Sequence, residues 1–209
     1  MTSLKMCLMT LYHPIVVTEY IKKQRGKRMN WLLVAVMLLL TLAVRLFAIY
    51  LTHYPLAAVS VRKANMVLEC GKLFVPILTW VLASYAMTTI LDGETLFQES
   101  MLFCACALTP YVVFTVPLTL LSHLMDAGQA GVELPVQAEA ALLIWVIGLM
   151  ILSIKEMNGY SVRKTLLIVL LSVFTMLIIW ATVVLLFTIS SQFVTMLREV
   201  YFEMIYRIG

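Results

Sequence analysis

The sequence predicts an all-α integral membrane protein: five transmembrane helices in one bundle, the N-terminus cytoplasmic, the C-terminus extracytoplasmic, and short amphipathic helices at both ends. Three observations predict it. Of 209 residues, 63% are apolar and 12% charged, against about 45–50% and about 25% in a soluble domain, so the apolar surplus needs lipid as its solvent. The apolar residues gather into five runs close to the roughly twenty residues that cross about 30 Å of hydrocarbon. Most of the net charge of +4 sits in one cluster, Lys22, Lys23, Arg25, Lys27 and Arg28, directly before the first run.

Residues 1–29 read as a cytoplasmic basic arm. In "YHPIVVTEYIKKQRGKR", Val16, Val17, Tyr20 and Ile21 recur at helical spacing, which suits a helix lying in the membrane interface. A basic run beside a span sets topology and touches anionic headgroups, so nucleic acid is not the expected partner. Residues 30–189 read as the five-helix transmembrane domain, with spans at 30–51, 73–91, 97–122, 136–155 and 163–189. Helices are required there because lipid offers nothing to an unpaired backbone group. Residues 190–209 carry Phe193, Val194, Leu197, Val200, Tyr201, Met204 and Ile205 at helical spacing, the pattern of an extracytoplasmic interfacial helix.

Orientation follows from Lys and Arg. With the N-terminus inside, nine lie on inner segments: Lys5, the five of the cluster, Lys155, Arg163 and Lys164. Five lie on outer ones: Arg62, Lys63, Lys72, Arg198 and Arg207. Both short turns, "LDGETLFQES" and "KEMNGYSVRKT", then face the cytoplasm. In the first, Gly93 is expected to take the left-handed conformation that ends a helix. Thr95 and Gln98 have the spacing of a capping box opening the third helix. In the second, Gly159 and Ser161 repeat that grammar. Asp92, Glu94 and Glu99 are read as partners of the basic arm or of Lys155, Arg163 and Lys164, and as a docking surface.

Chemistry inside the membrane has few candidates. Arg45, about 22 Å into the first span, is expected to snorkel to the outer interface beside Tyr50, His53 and Tyr54. No Asp or Glu lies deep in a span. The histidines His13, His53 and His123 and the cysteines Cys7, Cys70, Cys104 and Cys106 show no metal-ligand spacing. No nucleophile elbow or phosphate loop is present. No catalytic residue, metal or cofactor is therefore expected. Pro110 and Pro117 fall near one face of the third span and are expected to kink it. Ser84, Tyr85, Thr88 and Thr89 form a polar stripe on the second, expected to hydrogen-bond between helices.

His13-Pro14, the basic arm, "NMVLECGKLFVPILTWVLASYAMTTILDGETLFQES" and "ALTPYVVFTVPLTLLS" together resemble the bacterial branch of the Yip-one domain family, membrane proteins that interact with Ypt/Rab GTPases. The likeness covers roughly residues 11–190 and is most specific over 65–117: Asn65, Glu69, Trp80, Thr88, Thr89, Asp92-Gly93-Glu94, Phe97, Ala107, Pro110 and Pro117. It implies five spans, a cytoplasmic N-terminus and a non-enzymatic role in a bacterial inner membrane. The acidic-Leu-x-Gly-Pro motif of eukaryotic members is missing, so GTPase binding is not carried over. The resulting expectation is a scaffold or accessory subunit for a partner at the cytoplasmic face, such as a transport complex. Asn65, Glu69, Asp92, Gly93, Glu94 and Phe97 are its candidate contacts, and a homo-oligomer is left open. The alternative is a small transporter whose path is lined by the kinked third helix and the polar stripe of the second.

Overall fold

A computed structural model describes residues 3–25, 31–51, 65–122 and 129–208. Lys27, Arg28, His53, Tyr54, Arg62, Lys63 and His123 of the sequence reading lie outside the described residues. The described chain is helical, with no strand: α1 (Ser3–Tyr12), α2 (Pro14–Lys23), α3 (Trp31–Leu51), α4 (Met66–Ile90), α5 (Phe97–Ala107), α6 (Thr109–Leu121), α7 (Gln129–Asn158) and α8 (Val162–Ile208). Five helices are long and apolar enough to cross a membrane: Trp31–Leu51, Met66–Ile90, Phe97–Leu121 (α5 and α6 together), Gln137–Asn158 and Val162–Glu199. Span number and fold class are those read from the sequence. The second span begins seven residues earlier than 73, because the Asn65 side chain accepts the Val67 amide at 3.0 Å and caps the helix there. Residues 190–208 run on from the fifth span as one helix without a break.

The third span is the axle of the bundle. Two thirds of it is buried, against a third or less of every other span, and all seven residues from Met101 to Ala107 are buried. Cys104, Ala105, Cys106 and Ala107 are small, which lets neighbouring backbones approach closely. The span is interrupted at Leu108, where α5 ends and α6 begins. Pro110 has no amide for the carbonyl of Cys106, and the Thr109 hydroxyl donates to that carbonyl instead, at 2.6 Å. The chain passes through Pro117 inside α6.

One face of the arm packs into the bundle, a contact the sequence does not announce. Pro14 opens α2, and His13 before it takes an extended φ of −137°, as a residue preceding proline does. α1 and α2 therefore fold into a corner against α5 and α7. Val17, Thr18 and Ile21 are buried, whereas Val16 faces outward. Met6 and Cys7 join the same core, and the Cys7 sulfur lies 3.6 Å from that of Cys106. The physical reason is that α5 offers small, closely approachable side chains at this end, while Leu8, Tyr12, Ile15 and Val16 stay exposed on the outer face of the arm.

The polar stripe of α4 is corrected. Ser84 and Thr88 donate to Val81 and Tyr85 carbonyls of their own helix at 3.2 and 3.0 Å, and Thr89 donates to Tyr85 at 2.8 Å. Hydroxyls in a helix have such a carbonyl always within reach, so they need no neighbouring helix.

Candidate functional site

The two turns and the arm meet at one end of the bundle. α4 ends at Ile90 with Leu91 as its C-cap, and Asp92 takes the left-handed conformation, φ 58°. Gly93 does not, contrary to the expectation. Asp tolerates that region because its short polar side chain is compact, and glycine is needed at 93 for a different reason. A Cβ there would stand 2.7 Å from the Thr88 carbonyl oxygen, 2.7 Å from the Tyr160 hydroxyl and 2.8 Å from Asn158 Oδ1. The second turn is thus pressed directly onto the first. In that turn Gly159 is left-handed, φ 65°, and Ser161 Oγ accepts the Lys164 amide at 3.4 Å.

Two side chains of the second turn, Asn158 and Tyr160, lock it to the first. Asn158 Oδ1 accepts the Thr95 amide at 3.1 Å and the Thr95 hydroxyl at 2.7 Å. The Tyr160 hydroxyl donates to the Leu91 carbonyl at 3.2 Å, and Lys164 Nζ lies 4.2 Å above the Tyr160 ring. Burial and the charge of Asp92 push the Tyr160 phenol up, which keeps it a donor.

Thr95 is therefore spent on the partner turn and does not cap the third helix. Leu96 is the N-cap, and the Leu96 amide donates to Glu99 Oε2 at 3.0 Å. Glu99 is buried and has a second role. It receives Arg25 Nε at 2.8 Å and Arg25 Nη2 at 2.9 Å, a two-pronged pair. Arg25 also donates to the Glu94 carbonyl, and its guanidinium is 3.8 Å from the Glu94 carboxylate. One residue of the arm thus clamps the first turn, and the expected pairing of the acids with the arm is present through Glu94 and Glu99. Lys155 pairs with Glu156 instead, at 2.8 Å. Asp92, Glu94, Leu96 and Gln98 remain exposed around the clamp. Phe97 is half-buried, edge-on to Tyr85 with ring centroids 5.7 Å apart.

A second polar cluster lies at the other end. Arg45 turns into the bundle instead of snorkelling out. Its guanidinium contacts Glu69 at 3.4 Å, Glu139 at 3.2 Å and the Tyr111 hydroxyl at 3.3 Å. Lys72 Nζ donates to the other Glu69 oxygen at 2.7 Å. The correction has an electrostatic cause: α4 and α7 each bring a carboxylate to α3, and a pair within a low-dielectric wall outweighs reaching for water.

Two cavities lie between these ends and share the walls Trp80 and Met150. The inner one, of about 20 Å³, is lined by Ser84, Thr88, Thr95, Ser100, Ser153 and Asn158 and has room for about one water. The outer one, of about 490 Å³, is mainly apolar and reaches Arg45, Lys72 and Tyr111.

The six candidate contacts do not form one surface. Asp92, Gly93, Glu94 and Phe97 lie at the arm end. Asn65 and Glu69 lie at the opposite end of the 25-residue α4, about 37 Å away at 1.5 Å per residue. Asn65 caps α4, and Glu69 is buried, 2% exposed, between Arg45 and Lys72. Residues with equal weight in the clamp that the sequence reading does not single out are Asn158 and Tyr160. Their signal was the repeated turn grammar around Gly159. Arg25 was visible only as one of five clustered cations. Among the described residues, no group of three His, Cys, Asp or Glu could hold a metal ion.

Comparison with known proteins agrees with this architecture. The Yip1 domain family model matches residues 9–193, from the arm to the fifth span. No curated protein and no solved structure matches the chain. The match takes in α2, both locked turns, four whole spans and most of the fifth, so the chain belongs to the Yip1 domain family and is a multi-pass membrane protein.

Proposed function

We propose that this chain is a non-enzymatic scaffold or accessory subunit of a bacterial inner membrane, and that the clamped end of the bundle is its cytoplasmic docking face. The observation that carries the reading is the Arg25 clamp. Arg25, Glu99, Asn158 and Tyr160 hold the arm and both turns as one pre-formed surface, while Asp92 and Glu94 project from it unburied. Association is favoured when a surface is ordered before the partner arrives, because less entropy is lost on binding. Exposed acids beside the half-buried Phe97 suit a partner with a basic, partly apolar patch, such as a cytoplasmic component of a transport complex. The density of Lys and Arg on the arm supports the cytoplasmic assignment of this end.

Affinity purification in mild detergent tests it. A defined partner is expected to co-purify, and Asp92→Lys with Glu94→Lys is expected to reduce its recovery while leaving the protein monodisperse. Purification of the chain alone, or a complex indifferent to the charge reversal, refutes the reading.

The transporter alternative draws support from the two cavities that meet at Trp80 and Met150. It requires the purified chain by itself to move a solute across liposomes, and Trp80→Ala to change that rate.

A further inference from the structure

We propose that the outer cavity holds one acyl chain of an anionic phospholipid from the leaflet opposite the arm, with the lipid phosphate seated on Lys72 and Arg45. The cavity's volume of about 490 Å³ lies within the roughly 300–1,000 Å³ of sites that enclose a single small molecule. Its walls are apolar, and its polar end presents two cations and the Tyr111 hydroxyl. Glu69 and Glu139 grip those cations without lining the cavity. Within a cluster whose two cations and two carboxylates balance, the groups that line the cavity are therefore the hydrogen-bond donors. Lys72 is 56% exposed and spends one of its three donors on Glu69, so it can receive a phosphate oxygen without abandoning its carboxylate.

Depth selects the occupant. Lys72 and Trp80 mark the two ends of the cavity wall on α4 and are eight residues apart, about 12 Å along the helix. One leaflet of a bilayer about 30 Å thick in hydrocarbon has nearly that depth. The mouth is rimmed by Leu143, Ile147 and Val173, all exposed on the flanks of α7 and α8, so it faces hydrocarbon and not water. A gap there forfeits dispersion contacts that an acyl chain supplies. A peptide would leave backbone groups unpaired at this depth, and a small soluble anion would leave the apolar walls uncovered. An amphiphile with an anionic head satisfies both ends, and the adjoining leaflet supplies phospholipid in excess.

Photolabelling of the full chain in phosphatidylcholine nanodiscs tests this. The probes are phosphatidylglycerol and phosphatidylcholine carrying the same diazirine-tagged acyl chain. Labels are expected to concentrate on residues 73–80 and 143–150, with phosphatidylglycerol favoured about fivefold or more, the effect of a cation at the headgroup level. Ile77→Trp and, separately, Leu143→Trp fill the cavity and are expected to bring labelling there down to that of the exposed 183–187 face of α8. Lys72→Met keeps the stem, leaves the cavity open and is expected to bring the headgroup preference close to one. The Lys72 variant also keeps the test decisive should the tryptophan variants fail to fold. Labels spread evenly over α4 and α8, tryptophan variants without effect, or equal labelling by the two lipids in the unaltered protein overturns the proposal.

Discussion

Replacing Gly93 with alanine probes the contact between the two turns with a single methyl group. The added Cβ would sit 2.7 Å from the Thr88 carbonyl oxygen, 2.7 Å from the Tyr160 hydroxyl and 2.8 Å from Asn158 Oδ1. Real carbon–oxygen contacts do not close to that distance. Thr88 O is backbone in the last turn of α4 and already accepts the Gly93 amide at 2.7 Å, so it cannot step aside cheaply. Asn158 Oδ1 is held by two donors from Thr95. The turns must therefore separate by several tenths of an ångström, at an overpacking cost of about 1–3 kcal/mol. For a chain of this size that corresponds to a fall of about 2–12 °C in Tm, read by thermal unfolding in detergent. Gly71→Ala is the control, because nothing lies within 4 Å of a Cβ there, and it should leave Tm unchanged or raise it slightly through helix propensity. Tyr160→Phe sharpens the reading. Alone it removes a hydrogen bond to Leu91; in the Gly93→Ala background that bond is already displaced, so the two losses should not add. A Gly93→Ala protein as stable as the parent, or strict additivity with Tyr160→Phe, would refute the idea that the turns are pressed together through this glycine.

Other outcomes follow from the same geometry. Glu99→Ala removes both the Leu96 cap and the Arg25 clamp, with an expected loss of about 1.5–3 kcal/mol, nearer the low end because Arg25 is partly exposed. Limited proteolysis at Lys22, Lys23 and Arg25 should accelerate in that variant, and an unchanged cleavage rate would mean the arm is held by other contacts. Arg45→Leu leaves the buried Glu69 with Lys72 alone of its two cations and is expected to cost about 1.5–3 kcal/mol, the loss of a hydrogen-bonded charged contact. Arg45→Leu with Glu69→Leu should recover most of it, as measured by thermal unfolding. In a Cys70→Ser background, a cysteine at Glu94 should react with a membrane-impermeant maleimide only from the arm side, and one at Asn65 only from the other. Labelling of both from one side would break the topology.

Much of this protein is legible in the residues alone because its solvent is lipid. Long apolar runs report membrane spans directly, and turns between them are short enough for Gly159 and Ser161 to announce themselves. Details that depend on a neighbour were not legible. Whether residue 92 or 93 takes the positive φ was decided by the second turn, which crowds Gly93 and leaves Asp92 to bend the chain. Thr95 looks like a helix cap until Asn158 is brought beside it. Arg45 looks like a snorkelling residue until two carboxylates from other helices arrive.

Composition and run length by themselves determined a five-span helical membrane protein with its basic arm next to the first span, because the cost of exposing polar backbone or charge to hydrocarbon depends on the residues alone. Only the tertiary structure decided which span is central, how the arm folds in, and which charges meet. In lipid every apolar side chain is equally welcome on the outside, so hydropathy cannot rank the spans. Small residues packed at Cys104 to Ala107, and partners supplied from distant parts of the chain, settle the arrangement.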